Sequence, residues 1–141
     1  MSAGVSPFQR TWTARAAWLA TGVADRVCRR ALDQGIIPKK SLRGEHLITL
    51  KVFASTEGFP TGPSAPSPEL LRERMRVAAS AVADCWFQGD ASWVLIVSAL
   101  DARISRSESL TLGLLQAYQG AELMVLPVGK WCADLKGAAS T

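Results

Sequence analysis

The pattern of apolar and polar positions predicts two short helices near the N-terminus. Residues 13–20 are rich in alanine, a strong helix former, and Thr13 is a suitable N-cap residue. Gly22 interrupts the pattern and marks a tight turn. A second helix is predicted over residues 24–34, with Gly35 in place for a C-terminal cap. Two helices joined by a glycine turn are the arrangement of a helix-turn-helix.

The spacing of apolar residues assigns the faces of the second helix. Val23, Val27 and Ala31 lie four residues apart, so they share one side, which we expect to pack on the first helix. The opposite side is polar and is left for solvent or a partner. Its three cations fall within one stretch of five residues: Arg26, Arg29 and Arg30.

The segment after this helix allows two interpretations. In one, residues 36–40 and 46–50 pair as a short hairpin and form a basic wing. In the other, residues 45–54 form a third helix. The β-branched and aromatic residues at 48–53 favour the hairpin. Both interpretations put three cations on a loop beside the second helix: Lys39, Lys40 and Arg43.

A change in composition divides the chain into two modules. Residues 55–68 contain four prolines and two glycines, which predicts a linker or a long loop. The division gives an N-terminal module over residues 1–54 and a C-terminal module over residues 69–141. The second module begins with the longest predicted helix, residues 69–87, for which Ser67 is the expected N-cap.

The rest of the second module predicts strand, helix, strand and a short terminal helix. The near-continuous apolar run at residues 92–99 is typical of a buried strand. A helix at 107–119, a strand at 122–127 and a helix at 129–136 follow. This order suggests a βαβ unit with parallel strands. The predicted fold is therefore α+β, a helix-turn-helix with a possible wing followed by a small α/β module.

Positive charge is concentrated in the first module. Residues 1–54 contain nine basic and three acidic residues, whereas residues 69–141 contain seven basic and eight acidic ones. The net charge of the whole chain is +4. A cationic module beside a near-neutral one suggests a polyanion as the partner of the first.

Motifs for catalysis, metal binding and membrane insertion are missing from the sequence. It has no G-x-S-x-G, no G-x-x-x-x-G-K-[ST] and no G-x-G-x-x-G, and its single histidine, His46, has no evident nucleophile beside it. Cys28, Cys85 and Cys132 lie far apart, which favours buried free thiols over a zinc site. No apolar run approaches the ~18 residues of a membrane span. We expect a cytoplasmic, nucleoid-associated protein without enzyme activity, cofactor or metal.

Residues 13–38 also carry a family resemblance, through the segments Ala16-Ala17-Trp18-Leu19, Gly22-Val23, Arg29-Arg30 and Gly35-Ile36-Ile37-Pro38. This stretch resembles the DNA-binding region of MerR-like winged-helix proteins and of the related excisionase-like proteins. In that family the second helix lies in the major groove and a wing touches the backbone.

The resemblance implies two groups of DNA contacts. The helix contacts would come from Arg26, Arg29 and Arg30. The wing or phosphate contacts would come from Lys39, Lys40 and Arg43. An arginine fork can pair with two atoms of one guanine, whereas contacts to phosphates set the register of the protein on DNA.

These patterns together favour a sequence-specific double-stranded DNA-binding protein, either a transcriptional regulator or a recombination accessory factor. One short helix reads few base pairs, so we expect a homodimer that reads two half-sites. The C-terminal module would form the dimer or bind a protein partner. The alternative is a protein-interaction adaptor without DNA binding, whose basic helices bind an acidic protein surface.

Overall fold

The computed structural model describes residues 6–60, 66–117 and 122–140. This part of the chain folds as a mixed α+β structure with six helices and two small antiparallel sheets. In the same ranges, no helix is long and apolar enough to cross a membrane. The elements in chain order are β1 (Thr11–Trp12), α1 (Ala14–Thr21), α2 (Asp25–Asp33), β2 (Leu42–Arg43), α3 (Gly44–Thr56), α4 (Pro68–Gln88), β3 (Val94–Val97), β4 (Ala102–Ser105), α5 (Glu108–Ala117), β5 (Met124–Leu126) and α6 (Val128–Ser140).

Local capping defines the two short helices α1 and α2, and both predictions are confirmed. The Thr13 hydroxyl accepts a hydrogen bond from the N–H of Ala16 at 3.2 Å. Gly22 has a φ of 69°, and its N–H donates to the carbonyl of Trp18 at 3.1 Å. Gly35, with a φ of 71°, follows α2. A residue with a side chain would be strained at either glycine, so these positions end the helices where the sequence indicates.

Helix α2 buries the side that its spacing predicts, but its main neighbour is α3. Val27 and Ala31 are buried and Val23 is half-buried. Both α1 and α2 pack mainly on α3, through a cluster that includes Ala17, Ala31 and Leu47. We expected α2 to pack on α1, but α1 and α2 both pack mainly on α3 instead.

Two short strands bracket the helical pair. β1 and β2 pair antiparallel, with Thr11 opposite Arg43 and Trp12 opposite Leu42. The side chains of Trp12 and Leu42 are both buried in the cluster under α1 and α2. This pairing closes the N-terminal segment by joining the chain before α1 to the chain after α2.

Residues 44–56 form helix α3, so the predicted hairpin of residues 36–40 with 46–50 is wrong and the alternative of a third helix is confirmed. The β-branched residues of this segment favour a strand in isolation. However, most of α3 is buried, including a continuous run over residues 47–50. A helix that is apolar around most of its circumference fits the centre of a core. Burial by neighbouring elements therefore outweighs local strand propensity here.

Helix α3 joins the two hydrophobic clusters of the molecule. Leu47 and Leu50 belong to the cluster with α1 and α2, which we call the N-terminal cluster. Ile48 and Val52 belong to the larger cluster with α4, α6 and the second sheet, which we call the C-terminal cluster. The module boundary expected after residue 54 falls inside α3, so the two clusters share one continuous helix.

Helix α4 begins as predicted and packs closely on α3. The Ser67 hydroxyl accepts from the N–H of Leu70 at 3.3 Å, and Pro68 occupies the first turn. A Cβ atom added at Gly44, the first residue of α3, would lie 2.1 Å from the ring of Trp86 on α4. Glycine is therefore needed where the start of α3 passes under this buried tryptophan.

The predicted parallel βαβ unit is wrong, because the second sheet is antiparallel throughout. Its strand order is β4-β3-β5, and both neighbours of β3 run opposite to it. The predicted strands at 92–99 and 122–127 and the helix at 107–119 are present as β3, β5 and α5, to the extent that these ranges are described. The missed element is β4, whose short sequence, Ala-Arg-Ile-Ser, lacks an apolar run. A tight turn makes β4 the hairpin partner of β3, with Ser98 donating its N–H to the Asp101 carbonyl at 2.8 Å.

Helix α5 lies at the outside of this sheet. None of its residues is buried, and Leu110 and Leu112 are each 56 % exposed. The Ser105 and Thr111 hydroxyls are 2.7 Å apart and join the end of β4 to α5. Helices α4 and α6 cover the opposite face of the sheet, where Leu95 and Val97 lie in the C-terminal cluster.

The cysteines lie in the core, as predicted, and the tryptophans are buried or half-buried. The three thiols are free and buried, on α2, α4 and α6. Three of the tryptophans are buried and the other two are half-buried: Trp12, Trp86 and Trp93, and Trp18 and Trp131.

Candidate nucleic-acid interface

Helix α2 presents its three arginines on one exposed side. Arg26, Arg29 and Arg30 are exposed, whereas Val27 and Ala31 face the core. Their spacing of three and four residues puts the three guanidinium groups on neighbouring turns of one helix face. The sequence predicted this grouping, and it follows from the apolar residues that anchor the other side.

Two of these arginines pair with carboxylates of the chain itself. Arg29 Nε lies 3.0 Å from Asp25 Oδ2 within α2, and both side chains are more than half exposed. Arg30 pairs with Glu57, which lies just after α3. Arg26 forms no ion pair with any described residue. Exposed pairs are worth only ~0–1 kcal/mol, so a phosphate or a base edge can compete for these guanidinium groups.

The three other candidate cations do not share one loop. Lys39 and Lys40 are exposed in the turn between α2 and β2, and within the described ranges neither pairs with a carboxylate. Arg43, expected on the same loop, instead lies on strand β2 and directly precedes α3. The placement of Arg43 was wrong because the strand pairing with β1 depends on residues more than 30 positions away.

Two residues in the first turn of α3 contact Arg43, one through an ion pair and one through a hydrogen bond. Arg43 Nη2 lies 2.8 Å from Oε1 of Glu45, whose side chain is buried. His46 Nδ1 accepts from the backbone N–H of Arg43 at 2.9 Å. Burial lowers the pKa of His46; the charge of Glu45 opposes this effect and that of Arg43 adds to it. His46 therefore favours its neutral form, in which Nδ1 can accept the hydrogen bond.

Further basic residues of the N-terminal segment have different positions. Arg15 is exposed on α1, and the Arg10 guanidinium lies 4.6 Å from the centre of the Trp12 ring. Lys51 lies 4.4 Å from the ring of Trp131 on α6, on the inner side of α3. The charge count alone indicates that such cations exist. It does not separate Arg10 and Arg15, which lie before α2, from Lys51, which is half-buried against Trp131.

No family model matches this chain, and neither a curated protein nor a solved structure matches it. The geometry described above is therefore the basis for the assignment of a function.

Proposed function

We propose that the protein binds double-stranded DNA in a sequence-specific manner, as a transcriptional regulator or a recombination accessory factor. The observation that carries the proposal is the exposed arginine side of α2. The turn that follows it adds Lys39 and Lys40, which pair with no carboxylate among the described residues. An α-helix fits the major groove, and arginine is the side chain that most often reads guanine there. No catalytic activity is assigned to the chain.

In this proposal α1 and α2 form a helix-turn-helix, and α2 is the helix in the groove. Arg26, Arg29 and Arg30 contact base edges, and two lysines and an arginine contact phosphates: Lys39, Lys40 and Arg43. The pairing of β1 with β2 is compatible with a winged arrangement of the MerR-like kind, because it holds the basic turn beside α2. Residues 69–141 join two copies into a homodimer or bind a protein partner, since paired half-sites extend the site that one helix can read.

The test is fluorescence anisotropy with random genomic duplex fragments over a salt series. We expect affinity to fall as salt rises, because phosphate contacts release counterions. The double substitution Arg29→Ala/Arg30→Ala should weaken binding by about tenfold or more. A matched control is Arg76→Ala/Arg106→Ala, which removes the same charge from exposed side chains of α4 and of the chain after β4. No binding by folded protein at low salt, or equal loss in both variants, would refute the proposal.

A second candidate is a protein-interaction adaptor without DNA binding. The exposed leucines of α5 favour it, since a protein partner would remove their apolar surface from water. The ion pairs of Arg29, Arg30 and Arg43 also occupy half of the candidate DNA contacts. Pull-down of a specific protein that persists in high salt, with no DNA affinity, would favour this candidate.

A further inference from the structure

A cleft of about 520 Å³ lies between the C-terminal ends of α2 and α3 and the N-terminal half of α4. Sites for small molecules have volumes of ~300–1,000 Å³. The cleft has an apolar wall, formed by Phe53 of α3 and by Leu71 and Met75 of α4. These side chains are able to pack against the apolar body of a ligand.

A buried arginine also lines this cleft. Arg74 is only 5 % exposed. Its Nη1 donates to the carbonyls of Ser98 and Ala99 at 3.1 and 3.2 Å. Its Nη2 donates to those of Phe59 and Thr56 at 2.9 and 3.4 Å. All of these acceptors are neutral backbone groups.

The guanidinium of Arg74 therefore has no anion beside it in the described part of the chain. Its four hydrogen bonds leave the N–H of Nε without an acceptor among the described residues. None of those residues forms an ion pair with Arg74. A buried cation is costly unless a counter-charge is near, so an anion in the cleft would offset part of this cost.

The remaining charges of the lining also favour an anion. Arg30 and Glu57 pair with each other at the edge of the cleft. Asp33 is then the one other carboxylate among the described lining residues, against the two cations Arg72 and Arg74. The described lining has a net charge of +1, next to an apolar wall.

We propose that this cleft binds a small organic anion. Its carboxylate or phosphate group lies near Arg72 and Arg74, and its apolar body packs on Phe53, Leu71 and Met75. Ligand binding at this site does not require that the protein bind DNA.

The experiment is an NMR titration of the full chain, labelled with ¹⁵N and with ¹³C in the methionine methyl groups. The probes are benzoate, phenyl phosphate and the neutral analogue benzyl alcohol. We expect saturable shifts of the Gly58 and Leu71 amides and of the Met75 methyl group. At least one anion should bind more tightly than benzyl alcohol. Comparison of benzoate with phenyl phosphate identifies the preferred head group.

Two variants and one control decide where the anion binds. Arg72→Gln should weaken anion binding roughly two- to fivefold, the effect of one exposed ion pair, and leave benzyl alcohol binding unchanged. Arg76→Gln is the control, because Arg76 is exposed on the same helix and is not among the residues that line the cleft. Leu71→Trp should fill the cleft and abolish binding of every probe.

Four results would overturn the proposal. The first is the absence of saturable shifts at the cleft with either anion. The second is equal affinity for the anions and benzyl alcohol. The third is equal weakening of anion binding by Arg72→Gln and Arg76→Gln. The fourth is full anion binding by folded Leu71→Trp, which decides the matter even if Arg72→Gln fails to fold.

Discussion

Helices α2 and α4 carry three arginines each, but one arginine of α4, Arg74, is used in the opposite way from those of α2. On α2, Arg26, Arg29 and Arg30 are exposed and two of them pair with nearby carboxylates. On α4, Arg74 is buried and bonds to backbone carbonyls from the end of α3, from Phe59 just after it and from the turn between β3 and β4. Arginine content alone therefore does not indicate a nucleic-acid surface.

The exposed and buried arginines differ in whether the guanidinium group keeps its water or exchanges it for hydrogen bonds to the protein. An exposed ion pair is weak because solvent screens it, so its cation stays available to a partner. A buried guanidinium has lost its water, and its hydrogen bonds to the protein must replace that hydration. The exposed groups can exchange partners at the surface, whereas Arg74 is held in place by the bonds with which it links α4 to the chain after α3 and to the turn between β3 and β4.

The largest effect that we expect is the loss of stability on Arg74→Met. The substitution removes hydrogen bonds from a charged donor to four carbonyls, so the free energy of unfolding should fall by about 3 kcal/mol or more. Urea unfolding measures this change. Arg72→Gln, on the exposed side of the same helix, is the control and should stay within about 0.5 kcal/mol of the wild type. Equal stability of Arg74→Met and the wild type would contradict a structural role for Arg74.

A smaller effect is expected when Arg30 is released from its carboxylate. Under the proposed function, Glu57→Gln should raise DNA affinity about two- to fivefold at low salt. In this variant Arg30 does not have to give up its ion pair with Glu57 before it contacts DNA. Glu73→Gln, which frees Arg76 on α4, changes the net charge by the same amount and is the control. Anisotropy titrations measure both variants. A similar gain for both would show that total charge, and not the availability of Arg30, limits binding.

The smallest effect should come from pH, through His46 beside Arg43. Burial holds the pKa of His46 below its ordinary value of 6.5, so the native state favours the neutral ring. The stability that this shift contributes is present above the unfolded pKa and is lost as pH falls through the folded pKa. We expect a lower urea midpoint at about pH 5.5 than at about pH 7.5.

His46→Gln should reduce this dependence on pH. His46 is the single histidine of the chain, and carboxylates titrate mainly at lower pH, so a loss of stability near pH 6 can be assigned to it. An unchanged pH dependence in His46→Gln would contradict the assignment.

The local parts of the fold were predictable from sequence. Thr13, Gly22, Gly35 and Ser67 mark the ends of α1, α2 and α4, because capping depends on residues within one helical turn. The exposed side of α2 was predictable for a similar reason, since apolar spacing defines the buried side and leaves the arginines outside.

The rest depends on contacts between distant residues. Residues 48–53 have strand propensity, and only burial between the N-terminal and C-terminal clusters makes them part of α3. β4 is short and weakly apolar, and its pairing with β3 makes the sheet antiparallel. The position of Arg43 depends likewise on its pairing with β1.

The sequence by itself therefore determined where the short helices begin and end and which arginines of α2 face outward, because these features depend on neighbouring residues. Only the tertiary structure decided that backbone carbonyls hold the guanidinium of Arg74 and that a cleft lies beside it. Spacing on α4 puts Arg74 three residues after Leu71 and four before Ala78, beside the apolar side of the helix, whereas Arg72 and Arg76 fall on its polar side. Spacing does not give the carbonyls that bond to Arg74, because the chain after α3 and the turn between β3 and β4 bring them from distant positions.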